Sequence, residues 1–231
     1  MNRINTGIAG LDEMLCGGIP ENHIVTVIGN TGTGKTTFAL QFIHTGLQQG
    51  EPCVYISLEE SIDSLVETAK NFGWDLMPFI EKQKLSLLQL SASDVLTSTS
   101  RIESELPSLL KTFGAKRLVL DPVTLFEMLF DEASERRKEV FALAQLVKHT
   151  GITALFTSES SPEDPYRSKF GLIEYIADGV ISLKYIRPSD LSEVVLAINI
   201  VKMRRTKHAR VIKPYDITEK GIKVFTESKV F

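Results

Sequence analysis

Lys35 and the carboxylates Glu59, Glu60, Asp121 and Glu159 are the side chains in this sequence whose type and setting suit phosphate chemistry. Lys35 closes the run Gly29-Asn30-Thr31-Gly32-Thr33-Gly34-Lys35-Thr36, which fits the pattern G-x-x-x-x-G-K-[S/T]. Gly29, Gly32 and Gly34 lack a Cβ, so the backbone between them can approach a ligand closely and turn successive N–H groups into an anion-binding concavity. A helix starting near Lys35, with Thr36 and Thr37 in its first turn, aims its positive dipole end at the same place. Lys35 would reach the terminal phosphates of a nucleotide such as ATP, and the Thr36 hydroxyl would bind Mg²⁺.

The carboxylates fall where the remaining chemistry needs them. Asp121 ends the apolar run Leu118-Val119-Leu120, the position from which an aspartate helps to hold Mg²⁺, usually through water. Hydrolysis also requires a group that orients and deprotonates water, and Glu59 and Glu60, which follow another apolar run, are two candidates for it. Glu59 could share in the metal site. The competing reading makes Glu60 a charge that stabilises a helix N-terminus.

A second concentration of charge is Lys202-Met203-Arg204-Arg205-Thr206-Lys207-His208, with Arg210 close by. On a strand, residues two apart share a face, so Lys202 and Arg204 can address one target. Spacing alone leaves three readings open. They are a solvated strand end, a nucleic-acid patch, and a phosphate-sensing pair that works like an arginine finger.

The elements that must position these groups alternate. Ile24–Ile28 reads as a buried strand ahead of the glycine loop, and Thr36–Gln49 as a helix with Phe38, Phe42, Ile43 and Leu47 on one face. Strands are expected over 51–58, 85–90, 117–121 and 153–157. Helices are expected from Ser61 to Gly73, over 75–82, over 98–113 with an interruption or kink at Pro107, and over 134–149. In the first of these, Ile62, Leu65, Val66, Ala69 and Phe72 should line one face. Alternation of this kind predicts an α/β fold, a mostly parallel sheet with helices on both faces. After Gly171 the pattern changes to strands over 179–183, 194–203, 210–218 and 222–225, with a hairpin turn at Glu219-Lys220-Gly221, which predicts a C-terminal antiparallel extension. Without an internal repeat or linker, residues 1–231 are expected to form one domain.

Composition adds exclusions. At 231 residues with a net charge of −3, the chain has no overall pull toward nucleic acid or anionic membrane. Cys16 and Cys53 form no metal or redox pattern. The N-terminus has no apolar signal segment, and the most apolar stretch, 118–130, is broken by Asp121 and Glu127. A cytoplasmic protein is expected, and nothing in the sequence specifies a protein partner.

The sequence resembles a single-domain member of the KaiC-like branch of the RecA-type ATPases. The resemblance is carried by the phosphate loop and by Thr6-Gly7-Ile8-Ala9-Gly10-Leu11-Asp12-Glu13, Gly17-Gly18-Ile19-Pro20, Glu59-Glu60-Ser61, Phe72-Gly73-Trp74-Asp75-Leu76, Ala177-Asp178-Gly179-Val180, Lys202-Met203-Arg204 and Gly221-Ile222-Lys223-Val224-Phe225. It implies a RecA-like core, and ATP held with Mg²⁺ between neighbouring subunits of a ring, commonly a hexamer. Glu59 and Glu60 match the family's catalytic glutamates, and Phe72 and Asn71 match positions near the adenine. Lys202, Met203, Arg204, Thr206 and His208 match residues that reach a neighbour's nucleotide, with Thr218 and Glu219 as further members of that set. Action across an interface thereby becomes the leading reading of the basic cluster.

Two departures count against a clock role. The family's circadian clock members carry two such domains in tandem, and their adjacent Ser-Thr phosphorylation site is matched here by Glu174-Tyr175. Besides an oligomeric regulatory ATPase, the readings weighed are a DNA-binding recombinase relative, a phosphotransferase and a nucleotide-binding scaffold that does not turn over. Against the recombinase, the segment 160–169 balances Glu163 and Asp164 with Arg167 and Lys169, so it offers no net attraction for phosphates.

Overall fold

The computed structural model describes residues 2–90, 99–186 and 194–228. In chain order the elements are β1 (Arg3–Ile4), α1 (Leu11–Met14), β2 (Ile19–Pro20), β3 (Ile24–Gly29), α2 (Lys35–Gln48), β4 (Cys53–Ser57), α3 (Ile62–Asn71), α4 (Met77–Glu81) and β5 (Leu85–Gln89). They continue with α5 (Thr99–Phe113), β6 (Arg117–Asp121), α6 (Val123–Glu127), α7 (Ala133–His149), β7 (Thr153–Glu159), α8 (Ile173–Ile176), β8 (Gly179–Ile186), β9 (Val195–Met203), β10 (Lys213–Thr218) and β11 (Gly221–Val224).

The main sheet has the order β11-β10-β9-β8-β3-β7-β6-β4-β5. From β8 to β5 every neighbour is parallel, and from β8 to β11 every neighbour is antiparallel. This is the predicted parallel core with an antiparallel extension. Strands β3, β4 and β6 are buried at every residue, as a parallel sheet covered on both faces requires. One apolar cluster packs α2 and α3 with β10 and β11 on one face, and a second packs α5, α6 and α7 on the other. The order places the ends of β3, β4, β6 and β7 side by side, so the residues following them converge on one edge of the molecule.

Several expectations change in detail. Pro107 lies inside α5, and the helix is assigned on both sides of it. Leu106 and Leu110 are buried in the second cluster, so packing outweighs the hydrogen bond that proline removes. Ser98, the expected first residue of that helix, lies outside the described residues. On α3 only Leu65 and Ala69 are buried, and Ile62 is exposed. Its expected cap is present, because the Ser61 hydroxyl accepts from the Ser64 N–H at 3.2 Å. The ribbon β1–β2 and the short helices α1, α6 and α8 have no counterpart in the sequence reading. Among the described residues no helix is long and apolar enough to cross a membrane.

Two buried charges show how the sheet is held. Arg117, wholly buried, donates to Glu51 at 2.6 Å, to the carbonyls of Asn5 and Phe42 at 2.8 Å each, and to Gln49 at 3.0 Å. It ties the entry segment, α2 and β6 together with its donors well used. Glu127 is the opposite case. It is 0% exposed, and neither carboxylate oxygen has a hydrogen-bond partner among the described residues. Burial, reinforced by Glu174 and only partly offset by Arg136, pushes its pKa up to about 8 from 4.5.

A raised acid pKa means that the folded state holds the proton more tightly than the unfolded chain does. The stability this proton gives is complete below about pH 4.5 and is lost as the pH rises through about 8. Glu127→Gln should therefore match the wild type at pH 4.5 and gain steadily above it, levelling off past pH 8 at an advantage on the order of a few kcal/mol. Urea unfolding at several pH values measures this, and parallel curves for the two proteins would contradict it.

Candidate functional site

β3 delivers the chain into the phosphate loop, and α2 begins at Lys35. Gly34 has φ +85°, and a Cβ there would lie 2.7 Å from Ile217 of β10. At Gly29 a Cβ would meet the Leu183 carbonyl oxygen at 2.9 Å. The loop is thus pressed against β8 and β10, with no room for side chains at those points. It is also braced from beneath. The Thr33 hydroxyl donates to the Asn30 carbonyl at 2.7 Å, the Tyr215 hydroxyl donates to the Thr33 carbonyl at 2.6 Å, and the Asn30 side chain accepts from Ser160.

The cleft in front of the loop encloses about 250 Å³. Thr31, Gly32, Gly34, Lys35, Thr36 and Thr37 line one side of it, and Glu59, Glu60, Asp121, Pro122 and Glu159 the other. The Lys35 ammonium donates to the carbonyls of Gly29 and Asn30 at 3.0 and 3.1 Å. Burial lowers its pKa, against the opposing pull of Asp121, Glu159 and Glu59. Gly29, Asn30 and Thr33, expected among the nucleotide ligands, are not on that lining, and the Thr33 side chain is fully buried. Their visible part is to hold the shape of the loop.

Asp121 is 5% exposed and accepts three hydroxyl hydrogen bonds. Thr36 donates to its Oδ2 at 2.9 Å, Tyr55 donates to the same oxygen, and Thr157 donates to Oδ1. Burial and then the Asp121 charge push the Tyr55 phenol well above its ordinary pKa, so it remains a donor. One carboxylate beside one hydroxyl, both facing a phosphate cradle, is an oxygen donor set of the kind Mg²⁺ takes, with phosphate and water as its other ligands. The residues present therefore fit the ion.

Glu59 is exposed and Glu60 half-buried. The turn carrying them is fixed by Ser57, whose hydroxyl donates to the Glu60 carbonyl at 2.7 Å. The Glu60 carboxylate accepts from the Ser64 hydroxyl at 2.8 Å, which ties it to the start of α3. Glu159, also at a strand end, lines the same cleft and pairs with Lys169 at 3.1 Å. The sequence reading counted Glu159 among the carboxylates suited to phosphate chemistry without giving it a role. Tyr55 and Thr157 went unnoticed, since a tyrosine and a threonine inside buried strands read as core. Their one signal is the shared inward face that strand periodicity gives them.

The remaining expected residues fall into two groups. Phe72, at the end of α3, stacks on Trp74 with ring centroids 4.9 Å apart, and Asn71 beside it is exposed. Trp74 also packs on Gly221, the register partner of Thr218, so the hairpin tip with Thr218 and Glu219 stands next to Asn71 and Phe72. Thr218 and Glu219 are therefore separated from Lys202 and Arg204 and placed at the chain's own phosphate-loop end of the sheet. The resemblance had grouped them with Lys202 and Arg204, from which the sheet sets them apart.

Lys202, Met203 and Arg204 lie at the opposite end. Met203 is the register partner of Gly179, which pairs with Val25 at the start of β3, whereas the loop follows Gly29 at its end. Four residues of strand, about 13 Å, separate them along the sheet. The Lys202 ammonium donates to the Glu174 carbonyl at 2.5 Å, and its pKa is lowered by burial and then by Arg204. Arg204 donates to the Tyr175 carbonyl at 3.0 Å and pairs with Asp178 at 3.5 Å. Thr206 accepts from Arg3 at 2.5 Å, and His208 is half-buried. Met203 is buried in the core of the chain.

The family described as "ATPase: KaiC" matches residues 4–229. A UPF0273 protein of Pyrococcus horikoshii is 33% identical over 97% of this chain and 94% of its own length. The circadian clock oscillator protein KaiC of Picosynechococcus is 31% identical over 97% of this chain, which spans only 45% of that longer protein. The crystal structure of the KaiC-like protein PH0186 from Pyrococcus horikoshii superposes with a TM-score of 0.86 at 33% identity, covering 97% of this chain and 99% of the other. The match runs across nearly the whole length, and the chain belongs to the KaiC-type ATPase family.

Proposed function

We propose that this protein binds and hydrolyses ATP with Mg²⁺ and works as a ring, with six copies the number the family resemblance implies and each nucleotide held between neighbouring copies. The observation that carries the reading is the cleft itself, where a braced phosphate loop faces Asp121, Glu59 and Glu60 across one opening. The loop N–H groups and Lys35 bind the phosphate oxygens, and the Thr36 hydroxyl with Asp121 holds Mg²⁺. Mg²⁺, when bound, neutralises charge on the phosphates. Glu59 takes a proton from a water placed in line with the terminal phosphate. The water oxygen bonds to phosphorus, the bond from phosphorus to the bridging oxygen breaks, and ADP and phosphate leave.

The ring is supported by the basic cluster. Lys202 and Arg204 stand too far along the sheet to reach their own chain's phosphates, which leaves the cleft of a neighbouring copy as their phosphate target. Asn71 and Phe72, with Thr218 and Glu219 beside them, offer the base a site on the subunit that supplies the loop. We place the protein's work in the cytoplasm, where ATP is supplied, and its output in regulation rather than in nucleic-acid handling.

Lys35→Ala tests the first step. The substitution removes the ammonium that faces the phosphates and leaves α2 with a better helix former. Calorimetric titration should show no detectable Mg-ATP binding, with an unchanged circular dichroism spectrum. Wild-type affinity in a folded Lys35→Ala protein would overturn the nucleotide reading.

A further inference from the structure

The three hydroxyls around Asp121 do not have equal roles. Thr36 is a residue of the phosphate loop, whereas Tyr55 and Thr157 belong to β4 and β7, the strands on either side of β6. Both are 0% exposed, and neither lines the cleft. Their donors reach the carboxylate from within the sheet, Tyr55 at Oδ2 and Thr157 at Oδ1, one on each oxygen. A carboxylate has about four lone-pair directions. With one on each oxygen fixed by the sheet, the other two are left for the cleft side, and Thr36 uses one of these at 2.9 Å.

We propose that Tyr55 and Thr157 are positioning residues that fix the rotation of the Asp121 carboxylate, so that the remaining lone pair of each oxygen faces the cleft, that of Oδ2 toward Thr36 and that of Oδ1 free for Mg²⁺ or its water ligands. The inference rests on the ATP and Mg²⁺ reading of the cleft and deepens it. Without the inner donors, the carboxylate can turn about its Cβ–Cγ bond, and the alignment must be restored each time the ion binds. Second-layer partners of metal-binding groups contribute about 10–100-fold in metal affinity.

The test reads Mg²⁺ dependence rather than turnover. Equilibrium binding of a fluorescent ATP analogue is followed while Mg²⁺ is titrated from an EDTA-treated sample, for the wild type, Tyr55→Phe and Thr157→Val. Both substitutions keep the buried volume and remove the hydroxyl. The expected result is a rise of about tenfold in the Mg²⁺ concentration at half-saturation, with binding in EDTA unchanged. A purely structural role would instead lower the melting temperature and leave the Mg²⁺ half-saturation alone, and that outcome in the folded variants overturns the proposal. If Tyr55→Phe does not fold, Thr157→Val carries the same test from the other oxygen. A wild type that binds the analogue no better with Mg²⁺ than without overturns both the metal reading and this inference, whereas normal wild-type dependence with unaltered variants overturns the inference alone.

Discussion

Glu59→Gln combined with Glu60→Gln is expected to keep Mg-ATP binding and to lose phosphate release by about 10²–10⁴-fold, the usual contribution of a positioned general base. The amides preserve size and polarity but have no basic oxygen to take the water's proton. The two positions should not contribute equally. Glu60 is half-buried and tied to Ser64 at the start of α3, where a negative charge also favours the helix end. Glu59 is exposed on the cleft wall, and its neighbour in the turn is held by Ser57. Glu59→Gln alone should account for most of the loss. Glu60→Gln alone should lower thermal stability and reduce the rate less. Single-turnover phosphate release, measured beside nucleotide affinity, separates these effects. A double variant that hydrolyses at the wild-type rate would make both glutamates structural.

What the sequence could and could not reveal follows from the range of the interactions involved. The phosphate loop was legible because its mechanism is local, with strand, glycine turn and helix contiguous from Ile24 to Gln48. Asp121 was legible for the same reason, as a charge closing an apolar strand. The grouping of the C-terminal residues was not. Whether Lys202 and Thr218 lie together depends on β9 and β10 running in opposite directions and on β9 pairing with β8, which are long-range facts. Adjacent in the motif set, they stand at opposite ends of the sheet. Tyr55 and Thr157 were hidden by their surroundings, since a run of consecutive buried residues gives no sign of which side chain ends in a hydroxyl bond. Glu127 illustrates the converse. In the sequence it serves only to break an apolar stretch, yet the fold buries it with no hydrogen bond to its carboxylate among the described residues, because it lies on α6, whose Val123 and Phe126 pack in the second apolar cluster.

The separation of Lys202 and Arg204 from their own cleft makes the trans arrangement directly testable. Arg204 is half-exposed, and its pairing with Asp178 at 3.5 Å is of the surface kind, worth about 0–1 kcal/mol. Exchanging that partner for a phosphate across an interface therefore costs little. A cation that meets transition-state charge in this way contributes on the order of 10³-fold or more in rate. Arg204→Ala should lose hydrolysis on that scale while its own loop still binds ATP, because Lys35, Thr36 and Asp121 are untouched. The discriminating experiment mixes Arg204→Ala with the Glu59→Gln/Glu60→Gln protein, each inactive alone. In a mixed ring, some interfaces pair intact glutamates and an intact loop on one subunit with an intact Arg204 on the next, so activity should return in part once subunits exchange. If Arg204 acted within its own chain, no combination would restore it, since every subunit would lack one essential group. Native mass spectrometry of isotope-labelled subunits establishes exchange independently, and a fully exchanged mixture as inactive as its components would end the case for action in trans.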